Sequence, residues 1–243
     1  MIYAEIKGKI PEVRDKEDLL TSNVIGLLSL LPDFIFVRIL NQSIDSDGKS
    51  LNLEESQNVK LHFWKKFDYG EPDIFIEGKT FVGIIEAKFK SAKSGSAYEN
   101  EETKEIENKE IDQLGKYWKG IENYNGEKFL IYLTNDPCFP FESIKISEKV
   151  SGEKARIFWL NWTSIHYELV NLQNDERLND TDRKIIKLLE SYCKYKGFKH
   201  FMGWEALDYP KADLSFYREN YWGNLIAVNI NNFRFYNKEH KDG

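Results

Sequence analysis

Three charged side chains stand at the ends of two apolar strands in the segment EPDIFIEGKTFVGIIEAKFK, residues 71–90. Asp73 precedes the first strand, and Glu86 and Lys88 close the second. Two carboxylates that converge bind a hard divalent cation such as Mg²⁺, which keeps several of its waters. A lysine beside such a water orients or deprotonates it and offsets charge on a phosphate. The residue types therefore predict metal-assisted hydrolysis of a phosphodiester bond.

The turn between the two strands decides whether these side chains meet. A two-residue turn of type II′ at Gly78-Lys79 would pair Glu77 with Thr80. Counting outward, Asp73 would then lie opposite Ile84, on the same sheet face as Glu86 and Lys88 and diagonal to Glu86. A three-residue turn would move Asp73 to the other face.

A simpler interpretation is that the charges are solvated strand ends and that Glu86 and Lys88 form a surface ion pair of about 0–1 kcal/mol. Two features favour a site instead. The strand at 81–89 is apolar on both faces before residue 86, which is typical of a central strand. Its charges begin where it leaves the core, the usual place for a site in an α/β sheet.

The elements around this hairpin follow from apolar periodicity and turn residues. Apolar positions from 15 to 31 predict a helix that Pro32 ends, followed by strands at 34–40 and 59–67. Residues 90–102 read as a polar loop, and residues 103–123 as a helix. Further strands are predicted at 128–134, 155–162 and 225–230, and the segments before the first two of these read as turn-rich. Helices are predicted at 163–173 and 180–197, the last capped by Asp180 or Thr181 and closed by Gly197.

This order predicts an α/β fold with a mixed central sheet flanked by helices. We expect a core domain at 1–175 and a C-terminal helical, aromatic extension at 176–243 that packs on the core. The chain has 243 residues, of which 41% are apolar, enough for a substantial core.

Composition excludes several classes of protein. The longest apolar run, residues 24–31, is far shorter than the roughly 20 residues of a membrane helix. The first residues lack the pattern of an export signal, and the two cysteines have no metal-type spacing, which together predict a cytoplasmic protein. No phosphate-binding glycine motif is present, so a nucleotide cofactor is not expected. The net charge of −6 gives no general attraction to nucleic acid.

The spacing Pro72-Asp73, twelve residues, then Glu86-Ala87-Lys88 resembles the PD-(D/E)xK motif of the restriction-endonuclease-like nuclease superfamily. The superfamily core, with the order αβββαβ, is similar to the predicted order over residues 12–135. Its first helix often supplies an acid to the site, which here is Glu17, with Asp18 as the alternative. Its later helix often carries a glutamine, in some members as Q-x-x-x-Y, the form of Gln113 and Tyr117.

The resemblance implies a role for each of these residues. Asp73 and Glu86 would ligate Mg²⁺, or Mn²⁺ in its place, together with the carbonyl of Ala87. Lys88 would act on the attacking water, and Glu17 would be a further ligand or a nearby acid. Gln113 would position phosphate or water. Simple helix roles, an acid at a helix start and an exposed glutamine, remain alternatives for Glu17 and Gln113.

We therefore expect a Mg²⁺-dependent nuclease that acts on DNA in defence or repair, with a homodimer left open. Lys90, Lys116 and Tyr117 are candidate nucleic-acid contacts, although exposed lysines are common on any surface. The alternative is a nuclease-like fold without catalysis that binds protein or nucleic acid. The acidic balance and the aromatic C-terminal region favour that alternative.

Overall fold

The computed structural model describes residues 2–9, 16–55, 58–89, 113–152 and 155–199. The predicted loop at 90–102, the first part of the helix predicted at 103–123 and the strand at 225–230 lie outside these ranges, as does Lys90. The described elements follow the order α1 (Ile2–Ile6), α2 (Glu17–Leu28), α3 (Asp33–Leu40), β1 (Lys60–Phe63), β2 (Ile74–Glu77), β3 (Phe81–Ala87), α4 (Gln113–Ile121), β4 (Glu127–Thr134), α5 (Phe141–Ser151), β5 (Ile157–Asn161), α6 (Trp162–Leu172) and α7 (Asp180–Lys196).

The five strands form one mixed sheet in the order β1-β2-β3-β4-β5. The pairs β1-β2 and β2-β3 are antiparallel, whereas β3-β4 and β4-β5 are parallel. The carboxyl ends of β3, β4 and β5 therefore share one edge of the sheet, and the start of β2 reaches the same edge. The predicted α/β class with a mixed central sheet is confirmed.

Helices cover both faces of the sheet. On one face, α2, α3, α6 and α7 pack in a core that includes Leu20, Ile35 and Ile165. On the other face, α4 and α5 pack in a second core, with Leu114 and Ile144 among its buried side chains. Side chains of β3 alternate between the two cores, which makes β3 the central strand that the sequence predicted.

The strand predicted at 34–40 is wrong, because this segment is the helix α3. Apolar residues occupy nearly every position, so its periodicity does not separate a helix from a strand. Pro32 precedes the helix, and the carboxylate of Asp33 in its first turn accepts a hydrogen bond from the Val59 N–H at 3.0 Å. Contacts with the surrounding core decide the conformation.

Three smaller predictions need correction. The segment before β5 contains the helix α5 where turns were expected, and α1 was not predicted. The cap of α7 is Asn179, whose side chain accepts hydrogen bonds from the Thr181 and Asp182 N–H groups. The Asn179 N–H in turn donates to the carboxylate of Asp182. Gly197 closes α7 at φ 92°, as predicted.

The described residues all belong to the compact unit Met1–His200. In it α7 packs against α6, α1 and α2. The boundary expected near residue 175 stays a prediction, since residues 200–243 of the expected extension lie outside the described ranges. No helix in those ranges combines the length and apolar composition that a bilayer crossing requires.

Candidate active site

The β2-β3 turn differs from the predicted one by a shift of its loop. Strand pairing joins Glu77 to Val82, and the Gly78 N–H donates to the Phe81 carbonyl at 2.9 Å. The two loop residues are therefore Lys79 and Thr80. Gly78 does not have the positive φ that a type II′ turn would require. Instead, a Cβ at Gly78 would lie 2.4 Å from the Phe81 ring, so glycine is needed there for packing.

Because of this shift, each residue of β2 pairs with the residue of β3 two positions beyond its predicted partner. Every side chain therefore stays on its predicted face of the sheet. Ile74 pairs with Ile85, so the next pair outward is Asp73 and Glu86. The predicted partner Ile84 instead pairs with Phe75. Asp73 is thus directly across from Glu86 on one face, closer than the diagonal arrangement that the sequence predicted, because directly opposed Cβ atoms lie about 4.5–5.5 Å apart.

A backbone hydrogen bond fixes the orientation of the Asp73 carboxylate. The Ala87 N–H donates to Asp73 Oδ2 at 2.8 Å. In an extended strand the N–H and the C=O of one residue point to the same side. The Ala87 carbonyl is therefore directed towards the side of the strand where Asp73 lies, as the resemblance implied for a third oxygen ligand.

Lys88 joins the two carboxylates of β3 and α2. Its Nζ donates to Glu86 Oε1 at 2.7 Å and to Glu17 Oε1 at 3.3 Å. Glu17 Oε2 also accepts the Phe89 N–H at 2.8 Å, so the first turn of α2 is tied to the end of β3. Asp18, the alternative helix acid, is exposed. The structure therefore brings together Glu17, and not Asp18, with the predicted site.

Burial leaves one oxygen of Glu86 without a partner. The residue is 3% exposed, and no hydrogen-bond partner of Glu86 Oε2 is present among the described residues. Burial, with repulsion from Asp73 as a further cause, raises the pKa of Glu86 from its ordinary 4.5 to about 7. Burial also raises the pKa of Asp73, although the Ala87 N–H opposes this change. Both carboxylates are therefore costly to ionise together.

The same electrostatics keep Lys88 protonated. Burial lowers the pKa of Lys88, but the carboxylates of Glu86, Glu17 and Asp73 outweigh burial and raise it. A lysine with a raised pKa donates hydrogen bonds and offers positive charge at neutral pH. In this arrangement Lys88 is suited to stabilise negative charge and unsuited to accept a proton.

Helix α4 packs over the sheet face that carries Glu86. Gln113 Nε2 donates to the Tyr117 hydroxyl at 3.0 Å, and that hydroxyl donates to the Glu71 carbonyl at 3.1 Å. Gln113 Oε1 is buried without a partner among the described atoms. Tyr117 is 3% exposed, which counts against it as a nucleic-acid contact and makes it a support for Gln113. Lys116 on the same helix is exposed, as a surface contact requires.

Two supporting residues were not predicted from the sequence. Trp162 Nε1 donates to the Lys88 carbonyl at 3.2 Å, and its ring stacks on Phe198 with centroids 5.6 Å apart. Tyr132 pairs with Glu86 across β3 and β4, next to the carboxylates. The signal for Tyr132 was the strand predicted at 128–134, because the ends of neighbouring strands meet at one edge of an α/β sheet. No local pattern links Trp162 to Lys88.

The oxygens at this edge fit a hard divalent cation in their chemistry. The Asp73 and Glu86 carboxylates are close enough to repel each other, Glu86 Oε2 is a buried acceptor without a donor among the described residues, and the Ala87 carbonyl is directed to the same side. In the described ranges, however, no three His, Cys, Asp or Glu side chains are grouped as metal ligands. Any ion would therefore depend on two carboxylates, a carbonyl and water, a set that Mg²⁺ accepts.

Comparisons of the chain with protein-family models, with curated proteins and with solved structures found no match.

Proposed function

We propose that this protein is a Mg²⁺-dependent nuclease of the PD-(D/E)xK type that hydrolyses phosphodiester bonds of DNA. The proposal is carried by the β2-β3 register, which places Asp73 opposite Glu86 when it is continued by one residue, and by the buried Glu86 Oε2, which has no partner among the described residues. Apart from α3, which is inserted between α2 and β1, the order of α2, three antiparallel strands, α4 and a parallel strand supports the αβββαβ core of that superfamily.

Asp73, Glu86 and the Ala87 carbonyl would hold the ion. When bound, Mg²⁺ supplies a polarised water and offsets charge on the phosphate. Lys88, held protonated by Glu86 and Glu17, donates a hydrogen bond to the attacking water or to a phosphate oxygen. Gln113, held by its hydrogen bond to Tyr117, would position phosphate or water through its amide oxygen.

The test is cleavage of plasmid and linear DNA by purified protein with Mg²⁺ or Mn²⁺, with EDTA as the blank. Asp73→Asn keeps the shape of the side chain and an acceptor for the Ala87 N–H, but it removes the charge that binds the metal. We expect a loss of about a hundredfold or more, since a metal ion supplies several kcal/mol of stabilisation.

Glu122→Gln is the control, because Glu122 is an exposed acid just after α4 and away from the site. We expect it to cleave like the wild type. Equal cleavage by the wild type and Asp73→Asn would refute the proposal and point to a contaminating nuclease.

A specific observation favours a second candidate, a nuclease-like fold that binds without hydrolysis. The Lys88 ammonium forms ion pairs with both Glu86 and Glu17, and so occupies oxygens that a metal ion would otherwise bind. Calorimetric titration with Mg²⁺ and Mn²⁺ separates the two candidates. Binding that is lost in Asp73→Asn supports the nuclease, whereas no binding to the wild type supports the second candidate.

A further inference from the structure

Trp64 is an exposed aromatic residue whose backbone adjoins the candidate active site. It follows β1 directly, and its N–H donates to the Asp73 carbonyl at 3.0 Å. Its backbone is therefore bonded to the residue that carries one of the two paired carboxylates. The residue is 37% exposed, and the centroid of its ring lies 5.6 Å from that of the Phe63 ring.

The backbone of Trp64 is in an unfavourable conformation for its side chain. Its φ is 47°, in the left-handed region where the other positive values among the described residues belong to glycines. A bulky residue is rare there, while glycine adopts this conformation with little strain. Selection for stability alone would favour glycine, so the tryptophan points to a use for the indole.

The loop at 64–72 holds this residue in a fixed place. Phe67 and Gly70 exchange two backbone hydrogen bonds, and the Tyr69 ring packs on Gly120 of α4, where a Cβ would lie 2.3 Å from the ring. A contact residue on such a loop loses little freedom on binding.

The charges of the loop are balanced. Lys65 lies over the Phe67 ring at 5.0 Å, and Lys66, whose side chain is 88% exposed, lies 3.8 Å from Glu71. Asp68 adds a second acid. Attraction to phosphate is therefore weak here, and a ligand would gain more from the aromatic face than from charge.

We propose that Trp64 stacks on an unpaired base of the strand that binds at the Asp73-Glu86 edge. This inference rests on the proposed nuclease function and narrows its substrate to single-stranded nucleic acid or to duplex ends and flaps. Every base offers a flat face to an indole, but a base inside a duplex has both faces covered by its neighbours. Stacking therefore selects unpaired nucleotides whatever their sequence.

The experiment compares two fluorescent strands of about 15 nucleotides, near the upper limit of site sizes for single-strand binding modules. One is oligothymidine, and the other is an abasic strand with the same phosphates. Binding is measured by fluorescence anisotropy in EDTA, so that hydrolysis does not interfere. We expect the wild type to bind oligothymidine about fivefold to a hundredfold more tightly, the range for loss of one stacked base.

Trp64→Gly should lower this preference to near unity while unfolding in urea at the same or a higher concentration than the wild type, since glycine relieves the strained φ. Trp64→Phe should keep part of the preference. Phe141→Ala removes another exposed aromatic ring, 54% exposed on α5, and should leave the preference unchanged.

Equal affinity of the wild type for the two strands, or no binding to either, overturns the inference, as does a preference that survives in Trp64→Gly. The outcome is independent of the nuclease test. A preference that depends on Trp64 without cleavage that depends on Asp73 would refute the nuclease and leave a single-strand binding protein. The reverse result would refute only the stacking.

Discussion

The buried carboxyl of Glu86 should make the stability of the protein fall as pH rises towards neutrality. Its pKa is raised from an ordinary 4.5 to about 7, because burial and then Asp73 oppose ionisation. Between these two values the folded state binds more protons than the unfolded state, so the free energy of unfolding decreases with pH. At up to about 1.4 kcal/mol for each pH unit, the whole window is worth about 3 kcal/mol as an upper limit.

The variant that isolates this effect is Glu86→Gln, which keeps the shape but does not titrate. The free energy of unfolding is measured in urea with EDTA at pH 4.5, 5, 6, 7 and 8, for wild type and variant. Subtracting the variant's free energy of unfolding from that of the wild type cancels the contributions of all groups whose titration the substitution does not affect. We expect the wild type to lose about 2–3 kcal/mol relative to the variant between pH 4.5 and pH 8.

Glu122→Gln is the control, since Glu122 is an exposed carboxylate just after α4. Its difference from the wild type should stay within about 0.5 kcal/mol across the range. A flat difference for Glu86→Gln, or a wild type that gains stability with pH, would show that Glu86 is solvated or fully compensated by Lys88. The electrostatic argument for the site would then be wrong.

Three further predictions concern the metal, the sheet and a helix cap. Calorimetry should show Mg²⁺ affinity rising up to about tenfold for each pH unit below pH 7, as the proton on Glu86 is displaced, and constant affinity would contradict this. Gly83→Ala should lower the urea unfolding free energy by about 1–3 kcal/mol, because its Cβ would lie 2.4 Å from the Phe129 ring, while Gly26→Ala, with open space, should not destabilise. Asn179→Ala should cost about 1 kcal/mol of the same free energy, and an unchanged value would argue against the cap.

The shared sheet face of Asp73 and Glu86 could be predicted from the sequence because it depends only on whether the pairing shift is even or odd. The loop proved to be Lys79-Thr80 where Gly78-Lys79 was expected, yet a shift of two residues in the pairing leaves each side chain on the same face. An error of one residue would have separated the carboxylates. The face was therefore predictable, whereas the exact partner depended on the packing of the Phe81 ring over Gly78.

Helical spacing could not decide between Glu17 and Asp18. Both acids precede buried residues by three and seven positions, Glu17 before Leu20 and Val24, and Asp18 before Thr21 and Ile25. The hydrogen bond from Trp162 to Lys88 likewise joins residues 74 positions apart. No local pattern encodes such a contact, which follows from the docking of α6 against the sheet.

The charges of the site explain why its carboxylates remain in a fold that they destabilise. Asp73, Glu86 and Glu17 contribute three negative charges when ionised, and Lys88 contributes one positive charge, which leaves two negative charges in a buried cluster. Protonation of Glu86 removes one of these two negative charges, but it also leaves one carboxylate fewer to bind a metal ion. A divalent cation would balance both, release that proton and pair with the unpartnered Glu86 oxygen. An apolar replacement for Glu86 would remove the same repulsion permanently, so a carboxylate at this buried position favours a role in binding a cation over a role in stability.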